Sequence, residues 1–341
     1  MAAGGFDLVH VAYAPFPADP RVRREALVGQ AVLGRVAVIA LADAFDAPGE
    51  EEWDGMTIIR LAGRKRRGSI AQYIGEYGSF IRRARRILAA DPRFAAVRVV
   101  HCHSLPDFIV YAALPARRRG ARIVLDLHEV FPEFARAKYG PRLGPVLERV
   151  ARGLERWSRR QADVTLTVTR PIEQLFARRA VRPTERVYTI HNSPDPADFG
   201  PRQPPRQHAP GRSLRLVFHG TLTPVQGVDL GIAAIAAARE RGLDATLTIY
   251  GAGPQLPALE ALVDRLALGD HVTFHRPIGP RALRTQLLEF DAGYVPTRAD
   301  EMTRWALSTK MFEYVHLGLP VITTRLATYT KYFPESSAVF V

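Results

Sequence analysis

The chain has 341 residues, enough for two domains at ordinary domain sizes. Its composition (47% hydrophobic, 24% charged, 9% aromatic) excludes a disordered, collagen-like or coiled-coil protein, and a single Cys excludes a disulfide framework or a multi-Cys zinc site. The net charge is +13, all but four of the 47 cations are Arg, and the first 200 residues carry +10 of it, a one-sided field that suits an anionic partner as well as solvated faces.

The N-terminus enters a strand pattern at once and has no basic start, so no signal peptide is expected. No apolar run is long enough to cross a bilayer, and a cytoplasmic location is expected. Strands are predicted at Phe6–Tyr13, Val36–Leu41, Met56–Leu61, Val97–His101, Arg122–Leu127, Val164–Val168 and Val187–Ile190. Helices are predicted between them at Arg21–Leu33, Ile70–Ala89, Asp107–Arg118, Val146–Gln161 and Pro171–Arg178. Val- and Ile-rich runs with little alternation suit strands covered on both faces, and the intervening helices imply a parallel sheet.

From Asn192 to Arg212 the pattern breaks, and six Pro in that stretch resist both helix and sheet. The alternation then resumes, with strands predicted at Leu214–His219, Thr246–Tyr250, Val272–Phe274, Gly293–Val295 and Val321–Thr323. Helices are predicted at Gln226–Arg241, Leu256–Leu266, Arg281–Glu289 and Thr309–Leu317. The expected organisation is an α/β domain over 1–195, a Pro-rich linker over 196–212 and a second α/β domain over 213–341. The cleft between them is the expected ligand site. The chain stops just after the strand-like run at its end, so the second domain is expected to be short and to lack its last helices.

Two strands of the second domain end in Gly turns that lead into helices: Gly220 before Gln226 and Gly227, and Gly251-Ala252-Gly253-Pro254. Free N–H groups and the positive helix end face such turns, and Gly lets backbone approach an anion. Ser308 or Thr309 can cap a helix whose first turns carry Lys310 and Glu313 on one face, ended by Gly318 and Pro320. An ammonium and a carboxylate there suit a phosphate and a sugar diol; the plain alternative is a surface ion pair.

These segments resemble the nucleotide-sugar glycosyltransferases of family four, the retaining enzymes of the GT-B fold. The resemblance runs through DPRVRREA (Asp19–Ala26), HCHSLPD (His101–Asp107), DLHEVFPE (Asp126–Glu133), HNSPDPADF (His191–Phe199), FHGTLTPVQGVDLGI (Phe218–Ile232), YGAGP (Tyr250–Pro254) and STKMFEYVHLGLPVI (Ser308–Ile322). It implies two Rossmann-like domains with parallel sheets, a nucleoside diphosphate sugar as co-substrate on the second, an acceptor on the first, and no other cofactor. It implies that Glu313 accepts bonds from ribose hydroxyls, that Gly220 opens the diphosphate loop, and that Gly251 and Gly253 shape the edge near the nucleotide. Ser308, Thr309 and Lys310 would start the helix facing the phosphates. His128 would lie near the transferred sugar, with Asp19, Arg21, His103 and Glu129 on the acceptor side.

The sequence departs from the family where Arg and Lys are usual, and has Thr221 and Gln226 instead. Lys310, Arg304 or Arg298 is then expected to supply the countercharge that a diphosphate requires. Trp305 stands where a second Glu is frequent, and Glu301 is the nearby candidate for a sugar contact. Catalysis in such enzymes is positioning and charge stabilisation at a departing diphosphate, with no side-chain nucleophile and no metal. His101 and His103 share a strand face while Cys102 points the other way, which argues against a His-Cys-His metal site. The Glu129–Glu133 pair reads as solvated.

One helix is strongly basic. Ile70, Tyr73, Ile74, Tyr77, Ile81, Ala84 and Leu88 form a stripe, Arg82, Arg83, Arg85 and Arg86 surround its end, and Arg64-Lys65-Arg66-Arg67 precedes it. The stripe reads either as core packing or as docking to an anionic membrane face, where a lipid-linked acceptor would wait. The function expected is sugar transfer to a glycan or lipid-linked acceptor of the cell surface. The alternatives are a sugar-nucleotide epimerase or phosphorylase, or a non-catalytic relative, on the same fold, and more remotely a basic nucleic-acid-binding protein, supported by charge alone. Nucleic acid is not an expected partner, because no aromatic interleaving or known module accompanies the charge.

Overall fold

A computed structural model describes residues 4–42, 47–63, 70–206 and 212–341. The basic run Arg64-Lys65-Arg66-Arg67 lies outside the described residues, as do the side chains of Ile70 and Tyr73. The chain forms two compact units, Met1–His191 and Asn192–Val341.

The first unit runs β1 (Leu8–Pro15), α1 (Pro20–Leu33), β2 (Val36–Leu41), β3 (Gly49–Trp53), β4 (Met56–Leu61), α2 (Ile70–Ala90), β5 (Val99–His103), a 3-10 stretch (Asp107–Ala113), α3 (Leu114–Arg118), β6 (Arg122–Leu127), α4 (Phe131–Gln161), β7 (Val164–Thr167), α5 (Arg170–Arg178) and β8 (Val187–Thr189). Its eight-stranded sheet has the order β3-β4-β2-β1-β5-β6-β7-β8 and is parallel except for β3. Strands β2 and β4 are buried along their whole length, as expected for strands covered on both faces. The chain winds outward in both directions from β1, so the carboxyl ends of β1 and β5 form a switch point where such sheets hold ligands.

Three elements differ from the sequence expectation. The helix expected over Asp107–Arg118 is a 3-10 stretch over Asp107–Ala113, and only Leu114–Arg118 is α-helical. Strand β3 is a GEEEW run with no apolar alternation. It pairs antiparallel at the sheet edge, where its carboxylates are matched by partners: Glu51 by Arg60, Glu52 by Thr57 and Glu50 by Arg93. Helix α4 begins at Phe131, fifteen residues before the expected start. Gly140 leaves helical geometry at φ 68°, and Pro141 then opens a second helical segment, where a missing N–H costs little, with Pro145 one turn further along.

The second unit runs α6 (Pro196–Phe199), β9 (Leu214–Thr221), a 3-10 turn (Pro224–Gln226), α7 (Val228–Glu240), β10 (Ala245–Ala252), α8 (Leu256–Arg265), β11 (Val272–His275), α9 (Pro280–Leu287), β12 (Ala292–Val295), a 3-10 turn (Thr303–Trp305), α10 (Thr309–His316), β13 (Val321–Thr323), α11 (Ala327–Tyr332) and β14 (Ala338–Phe340). Its sheet order is β11-β10-β9-β12-β13-β14, all parallel. One face buries Val228, Ile232 and Ile235 of α7 with Leu259 and Val263 of α8. The other buries Met311 and Tyr314 of α10 with Tyr329 and Phe333. The Pro-rich stretch expected as a linker is docked on this unit over its described part. Phe199 joins the core, Gln203 N–H donates to the His316 carbonyl, and Arg206 N–H donates to the Gly318 carbonyl. Residues 207–211 lie outside the described residues.

Candidate functional site

In the second unit a pocket of about 360 Å³ opens at the carboxyl end of β9, beside the start of α10. Its lining includes Gly220, Thr221, Gln226, Thr309, Lys310 and Glu313. These residues come from the end of β9, from the 3-10 turn after it and from the first turns of α10, where N–H groups have no carbonyl four residues back within the helix. Ser308 occupies the N-cap position with extended backbone but makes no side-chain capping bond.

Lys310 is 9% exposed, and its Nζ donates to Gln226 Oε1 at 2.8 Å while lying 5.2 Å from the centre of the Phe218 ring. Burial pushes its ammonium down to about 8, against the opposing pull of Glu313. Gly220 has φ +130°, and a Cβ there would stand 2.8 Å from Lys310 Cε, so glycine at this turn leaves the lysine its channel. Glu313 Oε2 lies 2.9 Å from His219 Nε2, and the His219 ring meets Tyr314 edge-on.

Of the three cations expected to replace the missing Arg and Lys, Lys310 is the one in the pocket. Arg298 is paired with Asp229 and donates to the Pro224 carbonyl, which braces the loop carrying Gln226. Arg304 lies over the Trp305 ring. Glu301 is exposed in the turn before Thr303 and does not line the pocket.

Gly251 and Gly253 serve the neighbouring backbone: a Cβ at Gly251 would meet the Gly220 carbonyl at 2.4 Å, and one at Gly253 the Leu222 carbonyl at 2.2 Å. Their effect is to bring the β9 and β10 ends together. Beside them a second hollow of about 230 Å³ is lined by Tyr250, Ala252, Pro277 and Ile278, and shares Gly220 and Thr221 with the first. Tyr250 stacks on His275 at 4.9 Å. His219 and His275 were not singled out from the sequence.

In the first unit the switch point holds a buried polar cluster. Parallel register sets His10 of β1 beside His101 of β5, and His103 beside Asp126 of β6. His10 Nδ1 and His103 Nε2 are 2.9 Å apart, and the His101 and His103 rings stack at 4.3 Å. Arg21 donates from Nε and Nη2 to the two Asp126 oxygens, at 2.6 and 2.7 Å, and from Nη1 to the Ile190 carbonyl. His128 Nε2 lies 2.9 Å from Asp126 Oδ2, and its backbone N–H donates to Ser104 Oγ. Asp19 caps α1, accepting from the N–H groups of Arg21 and Val22.

Charge in this cluster is sorted by burial. Burial holds His10 and His101 well below the usual imidazole range and pushes His103 down to about 3, so these rings are neutral. Burial opposes the Asp126 charge, but His128, His103 and Arg21 outweigh it and hold its carboxyl well below the usual range. Burial likewise opposes the charge on His128, and Asp126 outweighs it, so that pKa is raised. Burial, with the Asp126 charge, pushes Glu25 up to about 8.

Donor atoms of Glu25, His101, His103 and Asp126 lie within 4.8 Å of one another, a set whose chemistry could hold a divalent ion. Arg21 already holds both Asp126 oxygens and stands 3.3 Å from Glu25, which supplies the positive charge that an ion would bring. Cys102 faces away, and burial pushes its thiol up to about 12. Of the residues expected at the acceptor side, His103 and Arg21 are buried in the cluster, Asp19 is half-buried and Glu129 exposed. Glu133 is engaged by Arg152 and Arg179. Glu25, His10 and Asp126 had no role in the sequence reading.

Comparison with known proteins matches residues 24–198 to the family model "Glycosyltransferase Family 4" and residues 213–335 to "Glycosyl transferases group 1". A GDP-mannose-dependent alpha-(1-6)-phosphatidylinositol monomannoside mannosyltransferase of Mycolicibacterium smegmatis is 27% identical over 72% of this chain and 65% of its own length. An alpha-D-kanosaminyltransferase of Streptomyces kanamyceticus is 25% identical over 59% of this chain and 53% of its own. The chain thus spans less than two-thirds of the length of these relatives. Among solved structures, a sucrose-phosphate synthase of Thermosynechococcus elongatus superimposes with a TM-score of 0.73 at 17% identity, covering 98% of this chain and 85% of that one.

Proposed function

The chain belongs to glycosyltransferase family 4, and from that premise we propose that it moves a sugar from a nucleoside diphosphate sugar to a glycan or lipid-linked acceptor, with retention and without a metal. One observation carries the reading: a buried ammonium, Lys310, stands between a glycine turn and a helix start, three residues from the carboxylate of Glu313.

In this reading the diphosphate lies against Gly220, Thr221, Gln226 and the start of α10, and the Lys310 ammonium supplies the countercharge usually given by a divalent ion. Glu313 accepts from the ribose hydroxyls, and the base enters the hollow beside Tyr250 and Ile278. As the bond from the sugar's anomeric carbon to the diphosphate oxygen breaks, the acceptor oxygen bonds to that carbon from the same face. Its proton passes to a phosphate oxygen. Lys310 and Thr309 stabilise the charge that builds on the leaving group. His128 has its Nε2 on Asp126, which leaves Nδ1 to meet a sugar hydroxyl. A lipid-linked acceptor is supported by the phosphatidylinositol mannoside in the name of the mycobacterial relative.

A thermal-shift panel of UDP, GDP and ADP with their sugars tests the reading. A shift with one nucleotide, abolished in Glu313→Gln, supports it. No shift with any of them favours a non-catalytic relative.

A further inference from the structure

Of the α2 stripe, Ile81, Ala84 and Leu88 are buried and Ile74 is 61% exposed, while Arg83 and Arg85 donate to the carbonyls of Ala62 and Tyr111. A longer unpartnered apolar face is on α4. Beyond Gly140, Leu143, Val146, Val150 and Leu154 are 60%, 54%, 56% and 37% exposed. At about 100° per residue they fall within one arc of a helix wheel, roughly 80° wide. Arg142, Arg149, Arg156 and Arg160 occupy the flank of that arc, exposed and with no ion pair or side-chain hydrogen bond among the described residues.

Acidic groups are kept off this side. Glu148 is engaged by Arg136 and Arg152, and the buried Glu155 is paired with the buried Arg159. The outward surface therefore presents only apolar side chains and unpaired guanidinium groups. An apolar arc bordered by arginines on a helix lying along a protein surface has the pattern of an interfacial helix, in which aliphatic groups enter the acyl boundary while guanidinium groups stay at phosphate level. Trp157, half-buried on the same arc, lies 6.5 Å from the exposed Tyr111, whose ring is covered by Arg85. This adds amphipathic rings of the kind that settle at a membrane interface. A protein partner would be met by a mixed-charge rim, whereas four cations with no exposed anion complement an anionic lipid surface.

We propose that the second segment of α4, Pro141–Gln161, is a docking face for an anionic membrane, with Val146, Val150 and Leu154 inserted and Arg149 and Arg156 on lipid phosphates. No helix among the described residues is long and apolar enough to cross a membrane, so the contact is peripheral. It goes beyond the transferase reading and is measured without donor or acceptor, so its failure leaves that reading untouched.

The test is co-sedimentation of the whole chain with phosphatidylcholine vesicles, with and without phosphatidylglycerol, alongside Arg149→Gln/Arg156→Gln and Val146→Ser/Val150→Ser. Binding to the anionic vesicles alone is expected, released by raised ionic strength and weakened by roughly tenfold or more in the arginine pair. The valine pair should lose binding to a similar degree. All four positions are exposed, and unchanged far-UV circular dichroism checks folding; should the valine pair misfold, the arginine pair decides alone. Equal recovery with both vesicles overturns the proposal, as does undiminished binding of the arginine pair. Concentration-dependent doubling of mass in sedimentation velocity, abolished by the valine pair and unaccompanied by vesicle binding, would assign the face to a second copy of the chain instead.

Discussion

Arg21 and Asp126, 105 residues apart in the chain, share two hydrogen bonds, Nε to Oδ2 at 2.6 Å and Nη2 to Oδ1 at 2.7 Å. The pair ties α1 to the end of β6 and favours the ionised form of Asp126, whose charge in turn raises the His128 pKa. Removing one member of a buried charged pair leaves the other uncompensated. Arg21→Ala is therefore expected to destabilise the protein by roughly 3–5 kcal/mol in urea unfolding. A loss under about 1 kcal/mol would mean that His103 and His128 compensate Asp126 without it.

Lys310 titrates near 8, so it is mostly charged at neutral pH, and a bound diphosphate favours the charged form. The sign follows: nucleotide affinity is full below 8 and falls as the pH climbs past it. Lys310→Met should weaken binding of the cognate nucleoside diphosphate roughly 10–100-fold, the worth of a charge-assisted bond. It should not lower Tm, because an apolar chain replaces a buried cation. Calorimetric titration on either side of that pKa checks both; an affinity that does not change with pH would remove Lys310 from the phosphate site.

Glu25 sits at about 8, far above a free glutamate. The folded chain keeps this proton while the unfolded chain loses it, so the group costs stability as the pH rises from the ordinary carboxyl range towards 8, and the cost levels off above that. Glu25→Gln, which cannot ionise, should raise Tm at neutral and mildly alkaline pH and flatten its decline over that window. A variant that melts lower than the parent throughout would show that the carboxylate is ionised and held by Arg21.

Gly253 stands where a Cβ would come within 2.2 Å of the Leu222 carbonyl, and backbone cannot move aside as a flexible side chain can. Gly253→Ala is expected to cost roughly 1–3 kcal/mol and to separate the ends of β9 and β10. Because that displacement opens the pocket wall at Gly220 and Thr221, nucleotide binding should weaken with stability. Full stability with weakened binding would point instead to direct contact between this glycine and the ligand.

Much of this was legible locally. Strands such as Val36–Leu41 and Arg122–Leu127 match their predicted bounds, because a buried parallel strand is a short Val- and Ile-rich run between helices. The helix start at Thr309 was equally readable, since three-residue spacing alone puts Lys310 and Glu313 on one face. The edge strand β3 was not, because its stability comes from cross-strand pairing and carries no apolar period. The first segment of α4 was hidden by Gly140 and two prolines, which break the helical pattern without ending the element.

The sequence by itself determined the alternation of strands and helices, the glycine turns and the cation–carboxylate pair on α10, because each depends on neighbours a few residues apart. Tertiary structure alone decided that Gln226 meets Lys310 and that His10, His101 and Asp126 converge. Strands buried on both faces look alike in sequence, and which of them lie side by side is set by how the crossover helices pack. It also decided the orientation of α4. Ala151, Glu155, Ser158 and Arg159 turn inward, where Arg159 meets Glu185 and the Phe176 carbonyl, so the stripe a hydrophobicity pattern would have buried is left outside.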